Sequence, residues 1–462
     1  MNAAAPYRPT GTLVLASALA PYRGPWNERL AAHLQRRAGF EGSPAGLARL
    51  TALSPAAAVD SFVRFPATDG LPVAPTDLSD EPGPARRQAR IALQTWWLER
   101  MIATPAPLQE KMTLFWHGHF PSALGTKGIS PALALAQNEL FRSRALGNVR
   151  ELTLAVSRDP AMLRYLDNFR SERAHPNENY ARELMELFTL GIGNYTENDV
   201  RESARAFTGW TIERGTGEFV EDPRRHDDGR KTFLGRSGPF DGSDIVEIIF
   251  EQPAAARWFS QKLLRFFVYD DPEPELVEAF AVILRANDFE LQPSLALLLR
   301  SNVFYSERAY RALVKSPVEF VVGAQRLFGI PGVAPQTLGA LARMGQDVFA
   351  PPSVKGWDGG AAWLNSQSVL ARENFADALV ASQQMRADWL LAAGQGGSAR
   401  AASALARAIV QGDASPASLA RLQAYLDGEG VSANGMLSAE NLDERMRGAA
   451  YLTMAMPAFQ LN

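Results

Sequence analysis

The chain has no cysteine. Disulfides, zinc–thiolate sites, iron–sulfur clusters and cysteine nucleophiles are excluded with it. A chain without cysteine fits a cytoplasmic or an exported protein equally. No apolar run approaches the roughly 18 residues of a membrane-spanning helix. Neither sign of charge is in surplus: 47 Lys and Arg against 50 Asp and Glu leave a net charge of −3. No polyanion partner follows from that balance, and no nucleic acid is expected without a local basic patch. Several short signatures are also missing. There is no H-E-x-x-H, no phosphate loop, no nucleophile elbow and no dinucleotide fingerprint, and the helix at 178–190 carries Glu183-x-x-Glu186 in place of the E-x-x-H pair of a di-iron bundle. No internal repeat of fixed period is found. Histidine is scarce, five in 462 residues, so each one can be weighed singly.

What is present is an ordinary globular composition, 46% apolar and 21% charged. The length suits one large domain or two closely packed ones. Residues 1–25 read as an N-terminal segment, either mobile or a weak leader. A short apolar run, Thr12 to Ala20, ends in Ala18-Leu19-Ala20 like a signal-peptidase site, but only Arg8 precedes it. The compartment stays open between cytoplasmic and periplasmic or exported. Residues 26–462 read as a single large unit.

Within that unit the punctuation is helical. Ser43-Pro44, Ser54-Pro55, Asp159-Pro160 and Ser316-Pro317 each pair a capping side chain with proline at the first helical position. Helices are predicted at 86–103, 108–115, 131–142, 149–157, 253–267, 274–286, 318–328, 367–393 and 416–426, among others. Between 212 and 240 the period changes. Residues 218–220 and 231–234 look like short strands, and Asp228-Gly229 is the strongest hairpin signal in the chain. The expected fold is mainly α, an irregular multi-helix globular fold with one small β-hairpin insert near residues 217–236.

One helix stands out. Asn177 is placed to cap it, Glu178 complements its dipole and Gly191 ends it. Tyr180, Leu184, Leu187 and Phe188 share an apolar face. The other face carries Glu178, Asn179, Arg182, Glu183 and Glu186. Those five are the candidate catalytic residues. The plainer reading is a solvated face with i,i+4 ion pairs.

The histidines sit near element ends, where function concentrates. His117-Gly118-His119 is an H-x-H pair, and in extended backbone both rings point the same way. His175 precedes the carboxylate helix, and His226-Asp227 precedes the hairpin turn. His117, His119, His175, His226 and Asp227 are the candidate ligands for a divalent metal ion. The plainer reading is that these side chains bond carbonyls and carboxylates to hold loops together.

A second candidate site is the glycine-rich stretch 351–365. Trp357 supplies a flat apolar face, and Lys355 and Asp358 supply polar handles for a sugar or another planar group. Trp210, after Gly209, is a further candidate contact. Equally, these tryptophans can plug the core beneath a tight turn.

The chain resembles the bacterial DUF1800 family, a family of unknown function, over almost its whole length. Its opening block 32–40, Phe115-Trp116-His117-Gly118-His119-Phe120, the stretch 177–191 and Ala204-Arg205-Ala206-Phe207-Thr208-Gly209-Trp210 are similar to that family's pattern. So are His226-Asp227 with Lys231-Thr232-Phe233-Leu234-Gly235, then Ser316-Pro317, then Val354-Lys355-Gly356-Trp357. The resemblance implies no settled activity. It implies frequent export and gene neighbours from DUF1501, a sulfatase-like family. Two readings follow. One is a hydrolase-like enzyme, with the His/Glu cluster and a bound ion activating water against a polar or carbohydrate-containing substrate. The other is a non-catalytic partner or assembly factor for a DUF1501 protein.

Overall fold

Serine, asparagine or aspartate opens helix after helix in the computed structural model, which describes residues 17–385, 387–428 and 442–462. Ser43 accepts the Gly46 N–H, Ser54 the Ala57 N–H and Asp159 the Met162 N–H, each ahead of a proline. Ser316 and Glu319 form a reciprocal capping box ahead of Pro317–Phe328. Each such cap contributes about 1 kcal/mol and fixes where the chain turns into a helix.

Helix dominates, as the composition and punctuation lead one to expect. The sheet lies where the period changes, but it is two ribbons. β1 (Trp210–Ile212) pairs antiparallel with β2 (Phe219–Glu221), and β3 (Lys231–Phe233) with β4 (Arg236–Gly238). The two predicted strands are both present yet do not pair with each other. Asp228-Gly229 therefore joins no hairpin. Asp227 accepts the Gly229 N–H instead and shapes a loop.

Two helices differ from expectation. The predicted 367–393 helix is two, Ser366–Val380 and Asp388–Gly394. The predicted 108–115 helix runs on through Pro107–His119. Gly118 does not stop it, because the buried aromatics on either side hold the last turn in place.

One continuous cluster of buried apolar side chains runs from Ala18 to Phe459. Trp97, Trp116, Phe120 and Phe188 sit at its centre, all but inaccessible. Each such side chain contributes roughly 2 to 3 kcal/mol through burial. Charge is buried with them. Glu110 accepts from Arg142 at 2.7 Å, Arg100 at 2.7 Å and the Trp97 indole at 3.0 Å. Lys111 pairs with Glu319 at 2.6 Å, and Lys315 with Glu41 at 2.8 Å. The signal-like run falls partly on residues 1–16, outside the described residues. From Ser17 onward the segment is held, with Val303 donating to the Ala18 carbonyl and Tyr22 to that of Arg300. Among the described residues no helix is long and apolar enough to cross a membrane.

Candidate functional site

The H-x-H pair lies on a helix, and the helix separates the two rings. Residues two apart are turned by about 200°, so their side chains leave on opposite sides. His117 Nε2 accepts the backbone N–H of Phe349 at 3.1 Å. Its ring packs 5.5 Å from Trp97 and 5.5 Å from Trp357. His119 Nε2 meets the carbonyl of Phe188 at 2.9 Å. A carbonyl can only accept, so His119 carries its proton on Nε2, and Nδ1 is left as a buried lone pair without a partner. Burial pushes both imidazoles down to about 3, Lys262 adding to the effect at His119. Both are neutral over the whole physiological range.

The other candidate ligands lie elsewhere. His226 bonds the Thr208 carbonyl at 2.8 Å. Asp227 is held by Arg205 at 2.7 Å. His175 is exposed beside a short bridge with Glu172. Among the described residues no group of three or more His, Asp or Glu side chains is placed to hold a metal ion. His117, His119, His226 and Asp227 thus each bond a separate partner, and the candidate ligands do not gather into one set.

The carboxylate helix starts as expected, Asn177 accepting the Asn179 N–H at 2.9 Å. It then changes pitch: Glu178–Glu183 is α-helical and Leu184–Thr189 is a π-helix. Such turns are rare and concentrate at functional sites. Here the wide turn leaves the Leu187 and Phe188 carbonyls to outside donors, the Trp258 indole at 3.2 Å and His119 at 2.9 Å. On the polar face Arg182 grips Glu197 through two bonds of 2.7 and 2.8 Å and stands 3.6 Å from Glu178. Glu186 accepts the Tyr195 hydroxyl at 2.8 Å. Asn179 reaches the Leu166 carbonyl at 3.4 Å. Glu183 has no hydrogen-bond partner among the described residues, and burial, then Glu186, raises its pKa.

A cleft lies against His119. About 330 Å³ in volume, it opens between Pro107–His119, Pro253–Phe267 and the glycine-rich loop after Phe349. The first helix contributes Phe115, Gly118 and His119. The second contributes Lys262, Arg265 and Phe266, followed by Asp270. The loop contributes Lys355, Trp357, Asp358 and Trp363, and Ser316, Glu319 and Gln346 close the far wall. Two glycines make the loop's approach possible. A Cβ on Gly356, whose φ is +81°, would lie 2.1 Å from the Gly118 oxygen. A Cβ on Gly360 would lie 3.1 Å from the Asp270 carboxylate. Phe349 sits at φ +63°, a region that costs a bulky residue of order 1 kcal/mol or more, and it is held there by His117 and by Leu124.

Of the sequence blocks noted above, those around Gly118, Ser316 and Lys355-Gly356-Trp357 meet at this cleft, while 32–40, 177–191, 204–210 and 226–235 lie outside its lining. The DUF1800 family model, described as a protein of unknown function, matches residues 33–461. The chain belongs to the DUF1800 family. No curated protein and no solved structure matches it. In this DUF1800 chain Trp357, Asp358 and Lys355 do line the cleft, as their sequence context suggests. Trp210 does not: only 2% exposed, it packs against Phe207 and Phe219 at the base of the first ribbon. Lys262, Arg265 and Asp270 were not legible beforehand, because nothing local marks them. They sit on or after an ordinary amphipathic helix, and only the packing of that helix against 107–119 turns them into the cleft.

Proposed function

We propose that this DUF1800 chain binds a carbohydrate-containing ligand in the 330 Å³ cleft and hydrolyses it. One observation carries the reading: two indole rings, Trp357 and Trp363, and two carboxylates in unlike surroundings, Asp270 and Asp358, line the same cleft. Indole faces stack on the C–H face of a sugar ring, and the rim groups read its hydroxyls. Burial raises the Asp270 pKa, against the pull of Arg265 and Arg37. A carboxyl biased toward its proton suits a general acid. Asp358 faces the Lys355 ammonium at 2.8 Å and supplies the second carboxylate. Glycoside hydrolysis runs on such a pair.

The test is titration of intrinsic tryptophan fluorescence with an oligosaccharide panel, together with reducing-end release. Trp357→Ala should weaken binding by about tenfold, the order expected for one lost aromatic contact. Asp270→Asn should stop release while binding persists. Unaltered binding by Trp357→Ala would overturn the reading. The partner reading, an assembly role beside a DUF1501 sulfatase-like protein, rests on the carboxylate helix: Glu178, Arg182 and Glu197 engage one another on an exposed face. Co-purification with the neighbouring gene's product tests it.

A further inference from the structure

Of the carboxylates lining the cleft, Asp270 interacts with Arg265, and none is paired with Lys262. Glu319 is taken by Lys111 at 2.6 Å and Asp358 by Lys355 at 2.8 Å. Lys262 and Arg265 make no ion pair and no side-chain hydrogen bond among the described residues. Lys262 is half-buried, with its ammonium 4.8 Å over the Trp258 ring as its one favourable contact. Every charged group acting on it repels it: Arg265 from its own helix and Lys355 from the loop. From the 107–119 helix it faces His119, which is neutral. Beneath the cleft lies further positive charge. Arg37, 1% exposed, donates to the Ala309 carbonyl and leaves Nε and Nη1 unpartnered.

A cation removed from water without a counter-charge is costly, and proteins retain one where something else supplies the charge. Building on the cleft as the ligand site, we propose that the ligand is anionic, a saccharide bearing a carboxylate or a sulfate, and that Lys262 with Arg265 beside it seats the negative group while the tryptophans hold the ring. The neutral side chains around Lys262 strengthen the attraction, since no nearby carboxylate competes for it. Burial, then Arg265 and Lys355, lowers Lys262 to about 8. The seat is therefore charged at neutral pH and discharges as pH rises past that value.

The experiment is a printed glycan array carrying neutral, uronic-acid and sulfated glycans, probed with wild type, Lys262→Met and Lys262→Arg. Calorimetry of the full chain with inorganic sulfate runs alongside. Wild type should retain acidic glycans over neutral ones of the same ring. Lys262→Met should lose about tenfold, the worth of one charge-assisted contact, and Lys262→Arg should keep most of it. Binding should also fall above about pH 8 in wild type. Lys262→Met should melt no lower than wild type, because an unpaired buried cation is removed. Equal retention of neutral and acidic glycans, unchanged by Lys262→Met, would overturn the anionic seat and leave the carbohydrate cleft standing. Lys262-dependent binding of sulfate with no glycan retained would keep the seat and overturn the carbohydrate reading. No binding of any probe would overturn both.

Discussion

The carbonyl oxygen of Gly118 occupies the space that a side chain on Gly356 would need: a Cβ there would sit 2.1 Å from it. A helix backbone and a loop backbone meet with no side chain between them. That contact seats Trp357 over the helix, 3.8 Å from where a Gly118 Cβ would lie.

Gly356→Ala should therefore damage both fold and cleft. The left-handed φ of +81° and the blocked Cβ act together, and a loss of about 2 to 4 kcal/mol is expected. Chemical denaturation gives the stability. The Trp357 emission maximum should shift to the red as the loop lifts. An alanine variant as stable as the parent would show that the loop rides further from the helix than 2.1 Å implies.

Two buried histidines should make the protein acid-sensitive. His117 and His119 are held neutral, with pKa values of about 3 against 6.5 when unfolded. The unfolded chain then binds more protons at these rings below pH 6.5, so their contribution to stability is constant above that pH and falls as pH drops toward 3. Between pH 6.5 and 4.5 each histidine should cost about 2 to 3 kcal/mol. His33, equally buried, acts in the same direction. Urea midpoints across this window, for the parent and for His119→Gln, provide the check; the variant should show a shallower slope. Asp159, pushed up to about 7 by burial, acts in the opposite direction over this window, so equal slopes in parent and variant would mean that the His119 ring is already solvated.

Neutralising Glu183 should cost nothing. It has no hydrogen-bond partner among the described residues, and burial, then Glu186, disfavours its charge. Glu183→Gln is expected to leave the melting temperature unchanged or slightly raised, within about 0.5 kcal/mol. Arg182→Ala, on the same exposed face, should lose no more than about 1 kcal/mol. A drop of several kcal/mol in either variant would mean that this face is covered by something in the working protein.

Glu110 is the opposite case. It is fully buried and holds Arg142, Arg100 and the Trp97 indole together. Glu110→Gln leaves Arg100 without its counter-charge and Arg142 with Glu139 alone, and about 3 kcal/mol should be lost. Differential scanning calorimetry measures it. Trp97 also packs on His117 and Phe349, so ligand binding in the cleft should weaken in parallel.

The fold was readable because its helices announce themselves locally. A capping side chain followed by proline needs no partner elsewhere in the chain, so Ser43, Ser54, Asp159 and Ser316 marked true helix starts. Features set by distant packing were not readable. His117 and His119 looked like a pair because residues two apart point the same way in extended backbone; the helix runs on through His119 and turns the rings apart. Strands at 219–221 and 231–233 looked like partners, but each found a nearer one. Of the site, Lys355, Trp357 and Asp358 were legible from glycine and aromatic content. Lys262 and Asp270 acquire meaning only from what the 253–267 helix faces.

The wide turn at 184–189 has one more implication. A π-turn holds one residue more than the α-turn it replaces. Removing a residue there would restore ordinary pitch and rotate everything beyond it by about 100°. The Leu187 and Phe188 carbonyls would swing away from Trp258 and His119, and the helix carrying Lys262 would lose its spacer. The extra residue thus fixes how the Leu187 and Phe188 carbonyls are presented to Trp258 and His119. A homologue lacking it would need a different tryptophan–histidine pair to meet those carbonyls.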